Sequence, residues 1–511
     1  MIFWLLLVVL GLWITMYRIR RRRMYKLASL IPGPDEELPV IGVAHTLMGD
    51  TEDIMAALQH YSYAAMERDG LLKGWLNHIL YFLGLNPLDV EMVLKVCLEK
   101  DDLHRFIRKI IGYGGIFAPV TIWRRRRKIL VPVFSPKIVE NFVEVFSEQS
   151  EKLAKRLTES ADNGKFSIWP FLSTYTLDSV CETAMGIKMN TQSNPDSPFL
   201  KALSRLLNLV CERIFHLWLQ PDWMFKLFPQ YTEHQRCLNT LHAFTDEVIK
   251  KKRKELQFIK DKSIETNQNY DLKYYKRKTF LDLLITLSGG ETGYNDIELR
   301  EEVLTLTIAG TDTSAHAVGF TLKLLTKYPE VQERVYQELY EVFGESDRPL
   351  VKEDLLKLKY LERVVKESIR LFPPVPFIIR KILEEITLPT GRVLPAGSGF
   401  VISIWGIHRD PKYWGPNADH FDPDRFLPER LNLPHPCCFM PFSNGPRNCV
   451  GYQYALMSIK TALSAILRRF RVVGERETST IPKIRVKLDI MMKAVDGYEL
   501  ALERRKPLAD Q

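Results

Sequence analysis

From about residue 50 to 375 the apolar residues recur at helical spacing, and beyond 380 they do not. The segments 141–160, 240–256 and 328–344 each gather apolar side chains on one face. Residues 299–326 form the longest apolar helical candidate. Pro329 follows where the next helix should begin, its fixed φ suited to a first turn. Past 380, Thr387-Leu388-Pro389-Thr390-Gly391 reads as a strand end and turn, and Phe400 to Trp405 as a short strand. Arg485–Met492 and Tyr498–Glu503 flank Asp496-Gly497, which predicts a hairpin. The expected fold class is mostly α with small β-sheets towards the C-terminal half. The body is long for one domain, yet no repeat, Gly/Ser linker or low-complexity tract divides it. Residues 256–278 are the most polar stretch between elements and read as an exposed loop.

The chain opens with an apolar run, Met1 to Tyr17, followed by Arg18-Ile19-Arg20-Arg21-Arg22-Arg23. A bilayer core takes about 20 residues of helix, with about 17 as the lower limit. No basic stretch precedes the run and no small-residue cleavage site follows it, which argues against a removed signal peptide. The reading is an uncleaved N-terminal transmembrane helix, with the arginines holding the body on the cytoplasmic side. Pro32-Gly33-Pro34 then fixes a stiff turn. The expected division is 1–23 membrane anchor and basic stop, 24–45 proline-rich hinge, and 46–511 main domain.

Residues 442–451 read Phe442-Ser443-Asn444-Gly445-Pro446-Arg447-Asn448-Cys449-Val450-Gly451. One cysteine sits in a glycine-bearing loop, two residues after an arginine. Gly445 and Gly451 let the backbone approach a sulfur or a flat ligand closely, and Arg447 offers a fixed fork of donors suited to a carboxylate. A structural cysteine in a turn-rich loop is the plain alternative, and the joint pattern argues against it. Cys437 and Cys438 beside His435 do not match a zinc-knuckle spacing. The stretch resembles the haem-binding loop of cytochrome P450 monooxygenases. That resemblance implies haem b (iron protoporphyrin IX) with Cys449 as its axial thiolate, Phe442 packed beneath the ring and Arg447 on a propionate. A cysteinate ligand pushes electron density onto haem iron and favours O–O cleavage.

Other stretches carry the same resemblance over residues 32 to 505, about the whole body. Ala309-Gly310-Thr311-Asp312-Thr313-Ser314 is similar to the family's distal helix, whose Asp and Thr, here Asp312 and Thr313, deliver protons to bound oxygen. Small residues there admit a flat ring, and a hydroxyl bonding back along the helix distorts its ladder. Trp123 and Arg127 match the family's Trp-x-x-x-Arg, and Arg380 a further arginine, all implied to meet haem propionates. The neighbouring Arg124 to Arg126 read as an arginine-rich surface stretch. Glu367-Ser368-Ile369-Arg370 resembles the family's Glu-x-x-Arg helix, with Arg425 completing a buried triad. Thr176-Leu177-Asp178, the Cys181–Gly186 stretch and Pro373-Pro374-Val375-Pro376-Phe377 look most like the family-4 clan, which includes many insect enzymes. Many of its members esterify haem through a glutamate where this chain has Ala309, so the haem is expected to be non-covalent.

The fold implied is therefore the cytochrome P450 fold preceded by a transmembrane helix. The function implied is a haem-thiolate monooxygenase acting on a lipophilic substrate: a fatty acid or derivative, hormone, terpenoid or xenobiotic. O2 is the co-substrate, and electrons come from NADPH through NADPH-cytochrome P450 reductase, with cytochrome b5 as a second donor. Membrane lipid is a further partner, and the expected location is the endoplasmic reticulum (microsomal) membrane. No dinucleotide or P-loop fingerprint accompanies the chain. The alternatives are a reductase-independent haem-thiolate isomerase or dehydratase, whose relatives often lose the Asp–Thr pair, and a non-enzymatic haem sensor, which needs no proton relay. The formal charge of +9, from 71 basic and 62 acidic residues, suits an anionic surface or an acidic partner. Without a zinc-finger, RNA-binding or leucine-zipper pattern it does not indicate nucleic acid. Seven cysteines with no disulfide-like spacing fit a reducing compartment.

Overall fold

The computed structural model describes residues 2–194, 196–266, 279–286 and 294–505. The elements used below are the helices α1 (Ile2–Arg20), α2 (Val120–Val133), α3 (Val143–Ser160), α4 (Trp169–Ala184), α5 (Pro198–Phe215), α6 (Pro229–Thr266), α7 (Asp296–Lys327), α8 (Pro329–Phe343), α9 (Lys359–Leu371) and α10 (Tyr452–Arg469). The strands are β1 (Leu71–Leu76), β2 (Ile79–Gly84), β3 (Phe166–Ser167), β4 (Phe377–Lys381), β5 (Ile386–Thr387), β6 (Val393–Leu394), β7 (Gly399–Ser403), β8 (Phe470–Val473), β9 (Val486–Asp489), β10 (Met491–Ala494) and β11 (Glu499–Arg504).

Helix α7 is the axis of the molecule. Asn295 starts it: its side chain accepts the Glu298 N–H at 2.9 Å, and the Glu298 carboxylate accepts the Asn295 N–H at 3.1 Å. Tyr328 and Pro329 end it and begin α8. Every residue from Ser314 to Leu322 is buried, as expected of a helix enclosed on all sides. Around it pack α4, α6, α9 and α10. Gly310 sets the spacing to α4, because a Cβ there would meet Val180 Cγ2 at 2.6 Å.

The largest sheet has the order β1-β2-β7-β4. Strand β2 runs parallel to β7 and the other pairings are antiparallel. Strand β7 stops at Ser403, not Trp405, because the Ser403 hydroxyl accepts the Gly406 N–H at 2.9 Å and opens a helical turn over Ile404–Ile407. Asp496-Gly497 does turn the chain, with Gly497 at φ +68, but it joins strands of different sheets. The hairpin is β9–β10, paired Val486↔Ala494 through Met491↔Asp489 with Ile490 at its tip. Strand β11 pairs with β3 and β8 instead. Part of the expected polar loop is helical, since α6 continues to Thr266; residues 267–278 lie outside the described residues.

The expected transmembrane anchor requires correction. Among the described residues no helix is long and apolar enough to cross a membrane. Helix α1 carries Arg18 and Arg20 in its last turn. The part before them, Ile2–Tyr17, spans ~24 Å at 1.5 Å per residue, short of the ~30 Å hydrocarbon core. The arginines after it are used against the protein itself. Arg21 donates to the His78 carbonyl at 2.6 Å and lies over the Trp75 ring, and Arg23 pairs with Glu385 at 2.5 Å. The single-pass anchor, and with it the endoplasmic-reticulum membrane placement, is not supported.

Candidate active site

A cavity of about 530 Å³ opens between α7 and the loop before α10. From α7 it is lined by Ala309, Gly310, Thr313 and Ser314, and from the loop by Phe442, Arg447, Cys449 and Gly451. Trp123 and Arg127 of α2 and Arg380 of β4 also reach it. Nearly all the residues expected from the sequence therefore meet around one space, although they lie far apart in the chain. Two do not line it: Gly445 packs against Leu94, and Asp312 lies behind the lining, 4 % exposed, with its carboxylate turned towards His316.

The loop is shaped by two backbone features. The Cys449 N–H donates to the Phe442 carbonyl at 3.0 Å, closing the turn. Gly445 adopts φ +75, and a Cβ there would stand 2.9 Å from the Leu94 carbonyl oxygen, so only glycine fits without strain. Cys449 is exposed by surface area, but that surface faces the cavity, and protein atoms crowd the sulfur elsewhere. Burial pushes its thiol up, while the Gly451 N–H and the Arg127 guanidinium pull it back down. Arg127 is held beside the cysteine by two bonds to Asn448, at 2.8 Å to its carbonyl and 2.6 Å to its side chain.

The cationic groups at the cavity are the most telling feature. Lys100, Arg380 and Arg447 are 9 %, 1 % and 8 % exposed, and among the described residues none has a carboxylate at ion-pair distance. Among the described residues the Nε atoms of Arg380 and Arg447 have no hydrogen-bond partner. Burial and the charge of Arg447 push Arg380 down to about 10. Burial pushes Arg447 to about 10 despite Glu99, and Lys100 well below the usual lysine range, with both arginines adding to the effect. Three buried cations that weaken one another fit a ligand bearing two carboxylates, as a haem does. Arg447 also stacks over Trp123, its guanidinium carbon 4.6 Å from the ring centroid.

Sequence reasoning missed Lys100, which sits in Glu99-Lys100-Asp101-Asp102 and reads as a solvated charge run. It also missed Glu302, two turns before Ala309 on α7 and 1 % exposed at the cavity wall. Burial raises Glu302 to about 7, against the pull of Arg126. Arg126 is not a surface residue: at 1 % exposure it meets Glu298, Glu301 and Glu302 at 3.3, 3.2 and 3.1 Å. Arg124, Arg125 and Lys128 do face outward from the same helix.

The sequence profile described as Cytochrome P450 matches residues 38–498. The chain belongs to the cytochrome P450 family. Cytochrome P450 4c3 of Drosophila melanogaster is 35% identical over 97% of this chain and 93% of its own. Cytochrome P450 4V2 of Homo sapiens is 36% identical over 93% and 90%, and cytochrome P450 4c21 of Blattella germanica 33% over 99% of each. This P450 is a member of the family-4 clan and a haem-thiolate monooxygenase, using O2, a small-molecule substrate and an electron-donating reductase.

Proposed function

We propose that this P450 hydroxylates a lipophilic substrate, with Cys449 as the thiolate that would hold haem iron, Thr313 and Asp312 as the proton-handling pair, and NADPH-cytochrome P450 reductase as the electron donor. The observation that carries this reading is the single cavity bordered both by the Cys449 loop and by the Ala309–Thr313 stretch of α7. When bound, a cysteinate-ligated haem supplies the electron density for O–O cleavage. The chain does the rest. Arg127 and the Gly451 N–H favour loss of the Cys449 proton. Lys100, Arg380 and Arg447 would hold the carboxylates of that haem group. Ile308, Leu207, Val401 and Ile404 make an apolar wall, which supports an apolar substrate and excludes stray water. The exposed cations Arg124, Arg125 and Lys128 offer an acidic reductase a docking face on the helix that also supplies Trp123 and Arg127.

The Thr313 hydroxyl donates to the Ala309 carbonyl at 2.6 Å. Its oxygen lone pairs remain free to accept from a water, and rotation about χ1 would redirect its proton into the cavity. Thr313→Ala removes both options. Loss of a donor placed for the transition state costs roughly 10²–10³ in rate, but here part of the flux diverts. The expected result is a fall in product per NADPH with more peroxide released, read by oxygen, NADPH and product balances. Unchanged coupling on several good substrates would remove Thr313 from the relay.

The reading as a whole is tested by reconstitution with reductase and NADPH against fatty acids, fatty alcohols and terpenoids under labelled O2. One labelled oxygen per product is expected; turnover without reductase or NADPH would point to an isomerase. Because Ala309 has no carboxylate to form an ester, acid–organic extraction should strip the haem completely. A haem-sized mass increment that survives denaturation would overturn that expectation.

A further inference from the structure

One titratable side chain on the distal helix has no part in the chemistry above. His316 stands one turn after Asp312 on α7 and is 1 % exposed. Its Nε2 faces Asp312 Oδ2 across 3.3 Å, an ion-pair contact outside hydrogen-bond geometry, and among the described residues neither atom has a hydrogen-bond partner. On the other side of the ring, Nδ1 lies 2.7 Å from the Tyr498 hydroxyl. That oxygen accepts the Ala494 N–H at 3.4 Å, so the phenolic proton points at Nδ1. The ring cannot easily turn: Trp169 stacks on it with centroids 4.3 Å apart and planes at 16°. Tyr498 is fixed in turn by Phe320, edge-on at 5.2 Å. The other charged groups bearing on the pair are Lys493 of β10 and Asp489 of β9, 3.6 Å from each other. Burial holds His316 below its ordinary pKa despite the attraction of Asp312.

We infer that His316 is a positioning residue for Asp312, a neutral imidazole fixed by Tyr498 in the Nε2–H tautomer. The logic is that of any buried carboxylate–imidazole pair: the partner of one ring nitrogen decides which proton the other presents. With Nδ1 accepting from Tyr498, Nε2 carries the proton on the side of the ring that faces Asp312. The carboxylate stays anionic and turned away from the cavity until a proton reaches it. The inference rests on the proposed role of Asp312 beside Thr313.

The test is nitrogen NMR of [15N]histidine-labelled protein in its diamagnetic, reduced CO-bound form, with the His316 signals assigned by their loss in His316→Asn. The expected signature is a neutral Nε2–H tautomer that does not titrate between about pH 6 and 8. An Nδ1–H tautomer or an imidazolium overturns the assignment. Tyr498→Phe should release the tautomer and lower product per NADPH several-fold with KM little changed. His316→Gln, which keeps an N–H near Asp312, should retain more coupling than His316→Leu; equal coupling in the two overturns the proposal. Asp312→Asn separates the two claims. Unchanged coupling there overturns the role of Asp312, whereas only the nitrogen spectrum judges the tautomer of His316.

Discussion

Cys449→Ala is expected to abolish the thiolate-type Soret band of the reduced, CO-bound protein and all monooxygenase activity, while leaving the chain folded. The reason lies in how the loop is built. Its closing hydrogen bond runs from the Cys449 N–H to the Phe442 carbonyl, a backbone bond that alanine keeps. Gly445 and its contact with Leu94 do not involve the sulfur. The substitution therefore removes a ligand and spares the turn. Cys211 of α5 also lines the cavity, but its thiol donates to the Leu488 carbonyl at 2.8 Å and burial pushes it up. Cys437 is buried with its sulfur accepting from the Asn444 side chain at 3.1 Å, and burial pushes Cys438 up to about 11, which disfavours a thiolate. Far-ultraviolet circular dichroism should match the parent. A variant that kept the band would remove Cys449 as the ligand.

Parts of the molecule were legible from sequence because they depend on local pattern. Periodic apolar spacing marked α3, α7 and α8, and Pro329 marked where α8 starts. Short motifs picked out Cys449, Thr313, Trp123 and Arg380, which the fold brings to one cavity. What failed depends on partners far away in the chain. Arg126 looks like one arginine among four, and only the fold brings Glu298, Glu301 and Glu302 to it. Lys100 looks solvated until β4 and the cysteine loop place Arg380 and Arg447 beside it. Asp496-Gly497 is a sound turn signal, but Tyr498 buries its ring against Phe320 and Trp169 and carries β11 to another sheet. Helix α1 shows the same limit: its apolar run read as a span, yet the arginines behind it fold back onto His78 and Glu385.

Glu367→Ala is expected to be the most destabilising single substitution away from the haem cavity, at about 3–5 kcal/mol. Glu367 and Arg370 are both 0 % exposed and share two bonds, at 2.6 and 2.8 Å. Glu367 also accepts the Asp422 N–H at 2.9 Å and faces Arg425 at 3.6 Å. Its removal leaves two guanidinium groups without their carboxylate and orphans a backbone donor. The carbonyls of His408, Ala418 and His420 still accept from Arg370, but dipoles do not neutralise a buried charge. The nearby pair Arg334–Asp424 provides the internal comparison. Its distances of 2.8 and 3.1 Å are as short, yet the Arg334 side chain is 50% exposed. Water screens that pair, so Arg334→Ala should cost only about 0–1 kcal/mol. Denaturant or thermal unfolding of the two variants, with haem retention as a second readout, should separate them clearly. Equal losses would mean that burial of the Glu367–Arg370 pair does not set its contribution, and that the link from α9 to the segment before the cysteine loop is held by packing alone.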